Sequence, residues 1–409
     1  MSPPLLIRGA RLLTLGDETG PLRGSDAGDL VAIDGGDVLV INGAVDTVGT
    51  AIETPPACEV IEANGRVVMP AFVDAHTHAC WAGERYAEWE AKLEGASYLE
   101  LLARGGGIMS TVRSVRSATV EQLTEQLLHR LELVIETGTT AIEVKSGYGL
   151  DAATELKMLR SIASAAEAWA GRVSMTACIG HAIDPDQADP VRQTTDETLG
   201  VISAAFPGIT IDAYCESGAW SLEACLQLFD AARAAGHPVR VHADQFNDLG
   251  MIPEAISRGY RSVDHLEATT PEHLSALAGS GLFGVMLPAS GFHLDGRYAD
   301  GRAFIDAGGA PVIASNLNPG SAPCFDMATV IALSVRHNRL SPAEAIVACT
   351  RNAAALLGFQ DLGRIAPGAS ADLILLRHTD ERALAHDLGG RHIDAVFING
   401  VRAYSATGE

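Results

Sequence analysis

The sequence predicts an α/β fold: a (β/α)₈ barrel of the TIM type, with a small composite β-sandwich domain built from both termini. Two observations predict this fold. The middle of the chain alternates eight apolar strand segments with helical segments, which is the count of a closed parallel barrel. Both ends of the chain instead carry short strands separated by Gly, Asp and Asn.

The two ends are predicted to form one domain, residues 1–66 with 359–409, into which the barrel of residues 67–358 is inserted. The N-terminal strand segments are Leu5–Ile7, Leu30–Ile33, Val38–Ile41, Val60–Ile61 and Val67–Val68. The C-terminal segments Ala371–Leu376 and Ala395–Gly400 have the same composition. Strands of one type at both ends indicate a shared sheet domain.

The predicted barrel strands are Met69–Asp74, Thr140–Val144, Ser174–Cys178, Thr210–Tyr214, Val239–Val241, Ser262–Asp264, Gly284–Leu287 and Pro311–Ala314. The clearest helical segment between them is Gln122–Ile135, which follows Thr119. Its apolar positions at helical spacing are Leu123, Leu127, Leu131 and Val134. A doubly wound parallel sheet is the alternative that the strand alternation leaves open.

The composition indicates a soluble cytoplasmic protein. Of the 409 residues, 29 are basic and 51 acidic, so the formal net charge is −22. A phosphate backbone attracts basic surfaces, and we therefore expect no nucleic-acid partner. The seven cysteines include no C-x-x-C pair, which is typical of reduced thiols. We also expect neither an export signal nor a membrane-spanning segment.

Histidines stand at the ends of three predicted strands. Side chains alternate along a strand, so His76 and His78 point to the same side, beyond Asp74. His242 ends the fifth strand and His265 the sixth, which lets all four converge on the barrel axis. One such histidine is usually a hydrogen-bonded structural residue, but this set predicts a Zn²⁺ or Fe²⁺ site. A bound ion of this kind activates water and polarises a carbonyl, so we expect a metallohydrolase, with His265 as a further ligand or an acid/base group.

Longer motifs surround these histidines. The stretch MPAFVDAHTH, the later His242 and His265, and the terminal strands resemble the amidohydrolase superfamily over essentially the whole chain. A narrower resemblance, to the imidazolonepropionase family, rests on Arg85 seven residues after His78. It continues through LEGASY, GGGI, EVKSGYG, the segment around His181, and NPGS, in that order.

The narrower resemblance implies hydrolysis of the cyclic amide C–N bond of 4-imidazolone-5-propanoate to give N-formimidoyl-L-glutamate. It also implies a homodimer and one divalent metal ion, Zn²⁺ or Fe with zinc preferred, bound by His76, His78 and His242. The positions that match the family's ligand-contacting residues are Arg85, Tyr98, Tyr148, His181, Gln245, Asn318, Gly320 and Ser321. Arg85 suits the carboxylate of this small anionic substrate, while Tyr148 and His181 suit the ring and the developing oxyanion.

Lys145 offers an alternative, a carbamylated lysine that bridges a second metal ion. It lies on the second predicted strand, whereas related two-metal enzymes usually place that lysine on the fourth. The fourth strand here ends in Cys215 and Glu216. One metal ion is therefore expected.

The eighth strand departs from the family at Asn316, where relatives usually carry an Asp that binds the metal and takes a proton from water. An amide oxygen is a neutral metal ligand but no general base. Three interpretations stay open: Asn316 is a ligand while His265 moves the proton, Asn316 contacts only water or substrate, or the site is impaired. Gln245 raises a similar question because relatives carry either Glu or Gln there. The expected catalytic set is His265, Gln245 and Asn316.

Two other functions stay open at this point. One is hydrolysis or deamination of another small heterocycle, such as a pterin or purine relative, which would depend little on the charge of Arg85. The other is a non-catalytic ligand-binding protein whose site has decayed through Asn316.

Overall fold

The structure, a computed structural model, describes residues 3–95 and 106–406. Within this part of the chain the strands form two eight-stranded sheets. The N-terminal strands are β1 (Leu5–Leu13), β2 (Ala32–Ile41), β3 (Ala44–Gly49), β4 (Glu59–Glu62) and β5 (Val67–Pro70). The middle strands are β6 (Phe72–Asp74), β7 (Thr139–Lys145), β8 (Arg172–Gly180), β9 (Thr210–Cys215), β10 (Val241–Ala243), β11 (Ser262–His265), β12 (Phe283–Met286) and β13 (Ala310–Ile313). The C-terminal strands are β14 (Leu373–Leu376), β15 (Ile393–Ile398) and β16 (Val401–Ser405).

One sheet is assembled from both termini, which confirms the predicted composite domain. Its order is β16-β15-β14-β5-β1-β2-β3, and β4 pairs with β1. Strand β5 joins the two ends, because it runs parallel to β1 and antiparallel to β14, with Met69 opposite Ile374. Buried side chains of both termini, including Ile7, Val38 and Leu373, form one apolar core. The boundaries at residues 66 and 359 stay a prediction.

The first barrel strand begins at Phe72, so the predicted strand Met69–Asp74 is wrong in its start. The backbone N–H of Ala71 donates to the Asp372 carbonyl in the terminal sheet over 2.9 Å. The next N–H, that of Phe72, donates to the Gly138 carbonyl beside the barrel over 3.0 Å. One apolar run therefore contributes strands to both sheets. The sequence does not reveal where one strand ends and the next begins, because both parts are buried.

The second sheet is the predicted parallel barrel. Strands β6 to β13 lie side by side in chain order. The barrel closes just beyond the strands, where the N–H of His78 donates to the Leu317 carbonyl over 2.9 Å. The N–H of Asn316 likewise donates to the His76 carbonyl over 3.0 Å. Closure at this point brings polar residues of the first and eighth strands together.

The other barrel strands overlap their predicted segments, although the fifth is shifted. It spans Val241–Ala243 and not Val239–Val241. Val239 makes only an isolated bridge with Ile211. This shift puts His242 within the strand instead of after it.

The helices cover the barrel and confirm the clearest helical prediction. Helix Val120–Glu136 begins after Thr119, whose side chain accepts from the N–H of Gln122 while the Gln122 side chain accepts in return. Its predicted apolar face is buried. The remaining α-helices are Tyr86–Leu93, Ile108–Ser117, Ala152–Ala168, Pro190–Gln193, Leu199–Ala205, Leu222–Ala234, Met251–Arg258, Pro271–Gly279, Pro288–His293, Gly301–Asp306, Met327–Leu333, Pro342–Ala348, Arg351–Leu357 and Ala383–His386. Among residues 3–95 and 106–406, no helix combines the length and apolar character that crossing a membrane requires.

Candidate active site

Three buried histidines meet at the C-terminal end of the barrel. His76 and His78 follow β6, and His242 lies on β10. One ring nitrogen from each lies within 4.8 Å of the others. The Nε2 atoms of His78 and His242 are 3.1 Å apart. This group could hold one metal ion, and the assignment of each residue as a ligand stays a prediction.

Two buried carboxylates orient the rings. Asp264 lies 2.6 Å from Nδ1 of His76, and Asp212 lies 3.0 Å from Nδ1 of His242. A carboxylate accepts, so each Nδ1 carries the proton and each Nε2 keeps its lone pair. Among the described residues, Nε2 of His76 has no hydrogen-bond partner. Burial followed by the nearby Lys145 charge lowers the pKa of His76 well below its usual value, so the ring is a neutral metal-type ligand.

The orienting carboxylates are themselves held by two buried cations. Lys145 Nζ lies 2.7 Å from Asp212 and 2.9 Å from Glu143. Arg240 contacts Glu143 at 2.7 Å and Asp264 at 2.6 Å. Burial alone would raise the pKa of Asp212, but His242 and Lys145 hold that pKa well below its usual range. Lys145 is thus paired with carboxylates, which fits the expectation of a single metal ion.

Sequence reasoning missed most of this network. Asp212, Asp264 and Arg240 have no role in the predicted site, and Glu143 is included only within the motif EVKSGYG, although each is a charged residue inside an otherwise apolar strand or next to one. Such a residue is almost never fully buried unless it is paired. That rule was the available signal, because it predicts that these charges pair with one another inside the barrel.

Asn316 presents an oxygen at the same end of the barrel. Its backbone is left-handed, with φ of 53°, a conformation that asparagine tolerates well. The side-chain Nδ2 donates to Ser290 Oγ over 2.7 Å. Among the described residues, Oδ1 of Asn316 is buried without a partner. A buried acceptor without a donor is costly, and a cation or a water molecule would satisfy it.

The other two expected catalytic residues also reach this region. His265 has a left-handed backbone, with φ of 97°, and its Nδ1 lies 3.2 Å from Glu267 Oε1. Its ring centroid is 5.6 Å from that of His242. Gln245 Oε1 accepts from the Tyr214 hydroxyl over 2.7 Å. The free side of Gln245 is therefore its NH₂ group, which suits hydrogen-bond donation and not proton abstraction.

A cavity of about 770 Å³ opens above the histidines. The predicted site residues that line it are His78, Arg85, Tyr148, His181, His242, Gln245, His265, Asn316, Asn318, Gly320 and Ser321. The structure thus brings together predicted residues from most of the barrel strands. Tyr98, the remaining predicted ligand contact, lies outside the described residues.

His181 is arranged as a hydrogen-bond acceptor. Its ring stacks on His78, with centroids 4.4 Å apart and an interplanar angle of 12°. Nδ1 lies 3.0 Å from the Gly147 carbonyl, so Nδ1 carries the proton and Nε2 accepts. Burial and the nearby His242 lower the pKa of His181 to about 3, so this ring is neutral. Of the two roles expected for the pair Tyr148 and His181, His181 therefore suits contact with a ring N–H of a ligand.

Tyr148 is the complementary donor. Its side chain is buried, with its ring centroid 5.3 Å from that of His181. Burial raises the pKa of the Tyr148 hydroxyl well above its usual value, so the group stays protonated and can donate to a ligand oxygen.

Asn318 shapes the loop after the eighth strand. Its Oδ1 accepts from the N–H groups of Gly320 and Ser321 over 2.9 and 2.8 Å. Its Nδ2 donates to the Asn316 carbonyl over 2.6 Å. The N–H groups of this loop are therefore already engaged, which makes Asn318 a loop-positioning residue as well as part of the cavity wall.

The fold and the site together define the class of metal-dependent barrel hydrolases. The sequence profile of the amidohydrolase family matches residues 67–403. The fold is similar to that of 5-methylcytosine deaminase from Klebsiella pneumoniae, with a TM-score of 0.75 at 16% identity, covering 98% of this chain and 97% of that one. This likeness concerns the fold alone.

Closer relatives are found by sequence. The chain is 40% identical over 390 residues to imidazolonepropionase of Deinococcus radiodurans, covering 94% of this chain and 96% of that protein. It is also 40% identical over 395 residues to imidazolonepropionase of Herpetosiphon aurantiacus, covering 93% and 92%. The chain belongs to the amidohydrolase family and, within it, to the imidazolonepropionases.

Proposed function

We propose that this protein hydrolyses 4-imidazolone-5-propanoate to N-formimidoyl-L-glutamate, a step of histidine degradation. The main support is one cavity whose wall holds Arg85 together with His78 and His242, two members of the three-histidine group. The histidines would hold an ion that polarises the ring carbonyl, and Arg85 would bind the propanoate tail. Relatives of that name at about 40% identity over nearly the whole chain support the same reaction.

The reaction adds one water and breaks one bond. The water oxygen bonds to the ring carbonyl carbon, the carbonyl C–N bond breaks, and the released nitrogen takes a proton. The former carbonyl carbon becomes a carboxylate. The released nitrogen and the ring carbon between the two nitrogens become the formimidoyl group. In this scheme Arg85 binds the tail, His181 accepts from the ring N–H, and Tyr148 donates to oxygen.

His76, His78 and His242 fit a divalent ion because they are neutral, converge, and leave a nitrogen unsatisfied. We propose Zn²⁺ or iron as the ion, since imidazole ligands suit both, and we prefer zinc because three histidines are a known ligand set of catalytic zinc. When bound, the ion lowers the pKa of a water molecule and polarises a carbonyl. The unpartnered Oδ1 of Asn316 supports a role as a further, neutral oxygen ligand.

Proton transfer falls to His265. Asn316 and Gln245 are amides and cannot act as bases, and Gln245 has its oxygen engaged by Tyr214. His181 has its Nδ1 proton directed to Gly147. His265 lines the cavity, and its Nδ1 contact with Glu267 leaves Nε2 to exchange the proton.

We further propose that the protein works in the cytoplasm as a homodimer and without a nucleic-acid partner. The free thiol state of all seven cysteines supports a reducing compartment. The net charge of −22 disfavours binding to a phosphate backbone.

Steady-state kinetics of an Arg85→Met variant tests the proposed substrate. We expect KM for 4-imidazolone-5-propanoate to rise about 100-fold, since a charged hydrogen-bonded contact is lost. The matched control is Arg192→Met, which changes an arginine whose side chain is 71% exposed and should leave KM unchanged. An unchanged KM in Arg85→Met would contradict the proposed role of the carboxylate tail.

A further inference from the structure

The tail-binding end of the cavity contains an internal carboxylate, that of Glu88. Arg85 precedes helix Tyr86–Leu93 and turns its guanidinium back onto the first turn of that helix. Arg85 Nε donates to Glu88 Oε2 over 2.8 Å, and Nη2 donates to Oε1 over 2.5 Å. The side chains of both residues are only 11% exposed. One fork of the arginine is therefore occupied before any substrate arrives.

Two further donors fix Glu88. The N–H of Gly107 donates to its Oε2 over 2.8 Å, and Lys92 Nζ lies 3.3 Å from its Oε1. Although burial raises the pKa of Glu88, hydrogen bonds from Arg85 and Gly107 lower it overall, so the group is a carboxylate. Glu88 and its three partners, Arg85, Lys92 and Gly107, all line the cavity.

The outer edge of the guanidinium remains for a ligand. Nη1 of Arg85 donates to Thr111 over 3.2 Å and keeps a second N–H. Nη1 also lies 3.2 Å from the position that a side-chain carbon on Gly320 would occupy. Arg85 and Gly320 both line the cavity, and the N–H groups left on Nη1 and Nη2 are the ones that can bind a ligand carboxylate.

We propose that Glu88 makes this end of the cavity selective for a ligand tail that carries a single negative charge. The inference rests on the proposed function and deepens it. Arg85 and Lys92 contribute two positive charges and Glu88 one negative charge, so the cluster carries one net positive charge. A carboxylate tail neutralises that charge, whereas a dianionic tail leaves an excess charge in a partly buried site. Glu88 is a positioning and specificity-determining residue, since it acts through Arg85.

Binding of two non-reactive probes tests the proposal. The probes are 3-(imidazol-4-yl)propanoate and 2-(imidazol-4-yl)ethylphosphonate, measured by calorimetry at about pH 8.5, where a phosphoryl group carries about two charges. We expect wild type to prefer the carboxylate. In Glu88→Gln the Kd of the phosphonate divided by the Kd of the carboxylate should fall about tenfold, because the net charge of the cluster becomes plus two. The matched control is Glu90→Gln on the exposed side of the same helix, which should leave the ratio unchanged.

A second variant changes the charge in the opposite direction. Lys92→Met removes one positive charge from a side chain that is 35% exposed, so it should fold even if Glu88→Gln does not. We expect both probes to bind more weakly, and the phosphonate to lose more than the carboxylate. Unchanged ratios in folded Glu88→Gln and Lys92→Met would overturn the proposal. Failure of the wild type to hydrolyse 4-imidazolone-5-propanoate would instead overturn the proposed function, because the probes report binding without turnover.

Discussion

Asn316 donates a hydrogen bond from its side-chain amide to the hydroxyl of Ser290 over 2.7 Å, at a point where both side chains are buried. This bond decides which end of the amide faces the histidines, because the two ends of an amide have nearly the same shape. It directs the NH₂ group to Ser290 and leaves the oxygen without a partner among the described residues. An amide that replaces a carboxylate can therefore still offer an acceptor to a cation.

Replacement of Ser290 by Ala should release this orientation. Loss of such an outer partner typically costs at least about tenfold in metal affinity, and we expect a change of that size. The Kd for Zn²⁺, measured by competition with a chromophoric chelator, checks it. Ser334→Ala is the control, since Ser334 is equally buried but lies in the π-helix Ser334–Asn338. An unchanged Kd in Ser290→Ala would argue against Asn316 as a metal ligand.

Asn316→Asp should increase metal affinity by about tenfold or more, because a charged oxygen replaces a neutral one. Ser290 can reverse its role and donate to the new carboxylate, so the substitution needs no rearrangement. The same chelator competition measures the effect. If Kd stays the same while the protein remains folded, position 316 does not contact the ion.

Lys145→Met should destabilise the fold by about 3–5 kcal/mol, since it leaves buried carboxylates short of a cation. Lys145 is fully buried between Glu143 and Asp212. Equilibrium unfolding in urea measures the loss of free energy. Lys92→Met, whose side chain is 35% exposed, is the control and should change the free energy of unfolding by less than about 1 kcal/mol. Equal stability of the two variants would contradict the role given to the buried network.

Glu381 should make stability depend on pH. Arg11 holds it through a fork, with distances of 2.6 and 2.8 Å. The hydrogen bond from Arg11 lowers the pKa of Glu381 below its ordinary value of 4.5, so its contribution is present above pH 4.5 and is lost as the pH falls below that value. Glu381→Gln should therefore cost about 1–2 kcal/mol at pH 7 and less near pH 3. Urea unfolding at both pH values checks this, and an equal cost at both would be the contrary result.

Much of the fold follows from local pattern. The eight barrel strands and helix Val120–Glu136 have apolar spacing and capping residues that single segments reveal. The change of sheet between Ala71 and Phe72 does not show in the pattern, because it depends on which distant strands offer partners. Two terminal segments predicted separately, Leu30–Ile33 and Val38–Ile41, overlap one strand, Ala32–Ile41, because Asp34 and Gly36 between them continue the pairing with β1.

Some features of the site can also be predicted from local sequence, and others cannot. Histidines at strand ends are visible in the sequence because the barrel directs strand ends toward one face. The pairing of Glu88 with Arg85 depends on helix spacing and on the approach of Gly107. The contact of Ser290 with Asn316 joins the segments that follow β12 and β13. Such contacts need tertiary structure, because no spacing in the chain distinguishes them from solvated side chains.

The reaction of 4-imidazolone-5-propanoate in ¹⁸O-labelled water, with the zinc content of the protein measured in the same preparation, tests whether the protein is a metal-dependent hydrolase of this substrate. We expect N-formimidoyl-L-glutamate with one labelled oxygen in its new carboxylate, formed in proportion to bound metal and above the rate without protein. A folded, metal-loaded protein that leaves the substrate unchanged would contradict it.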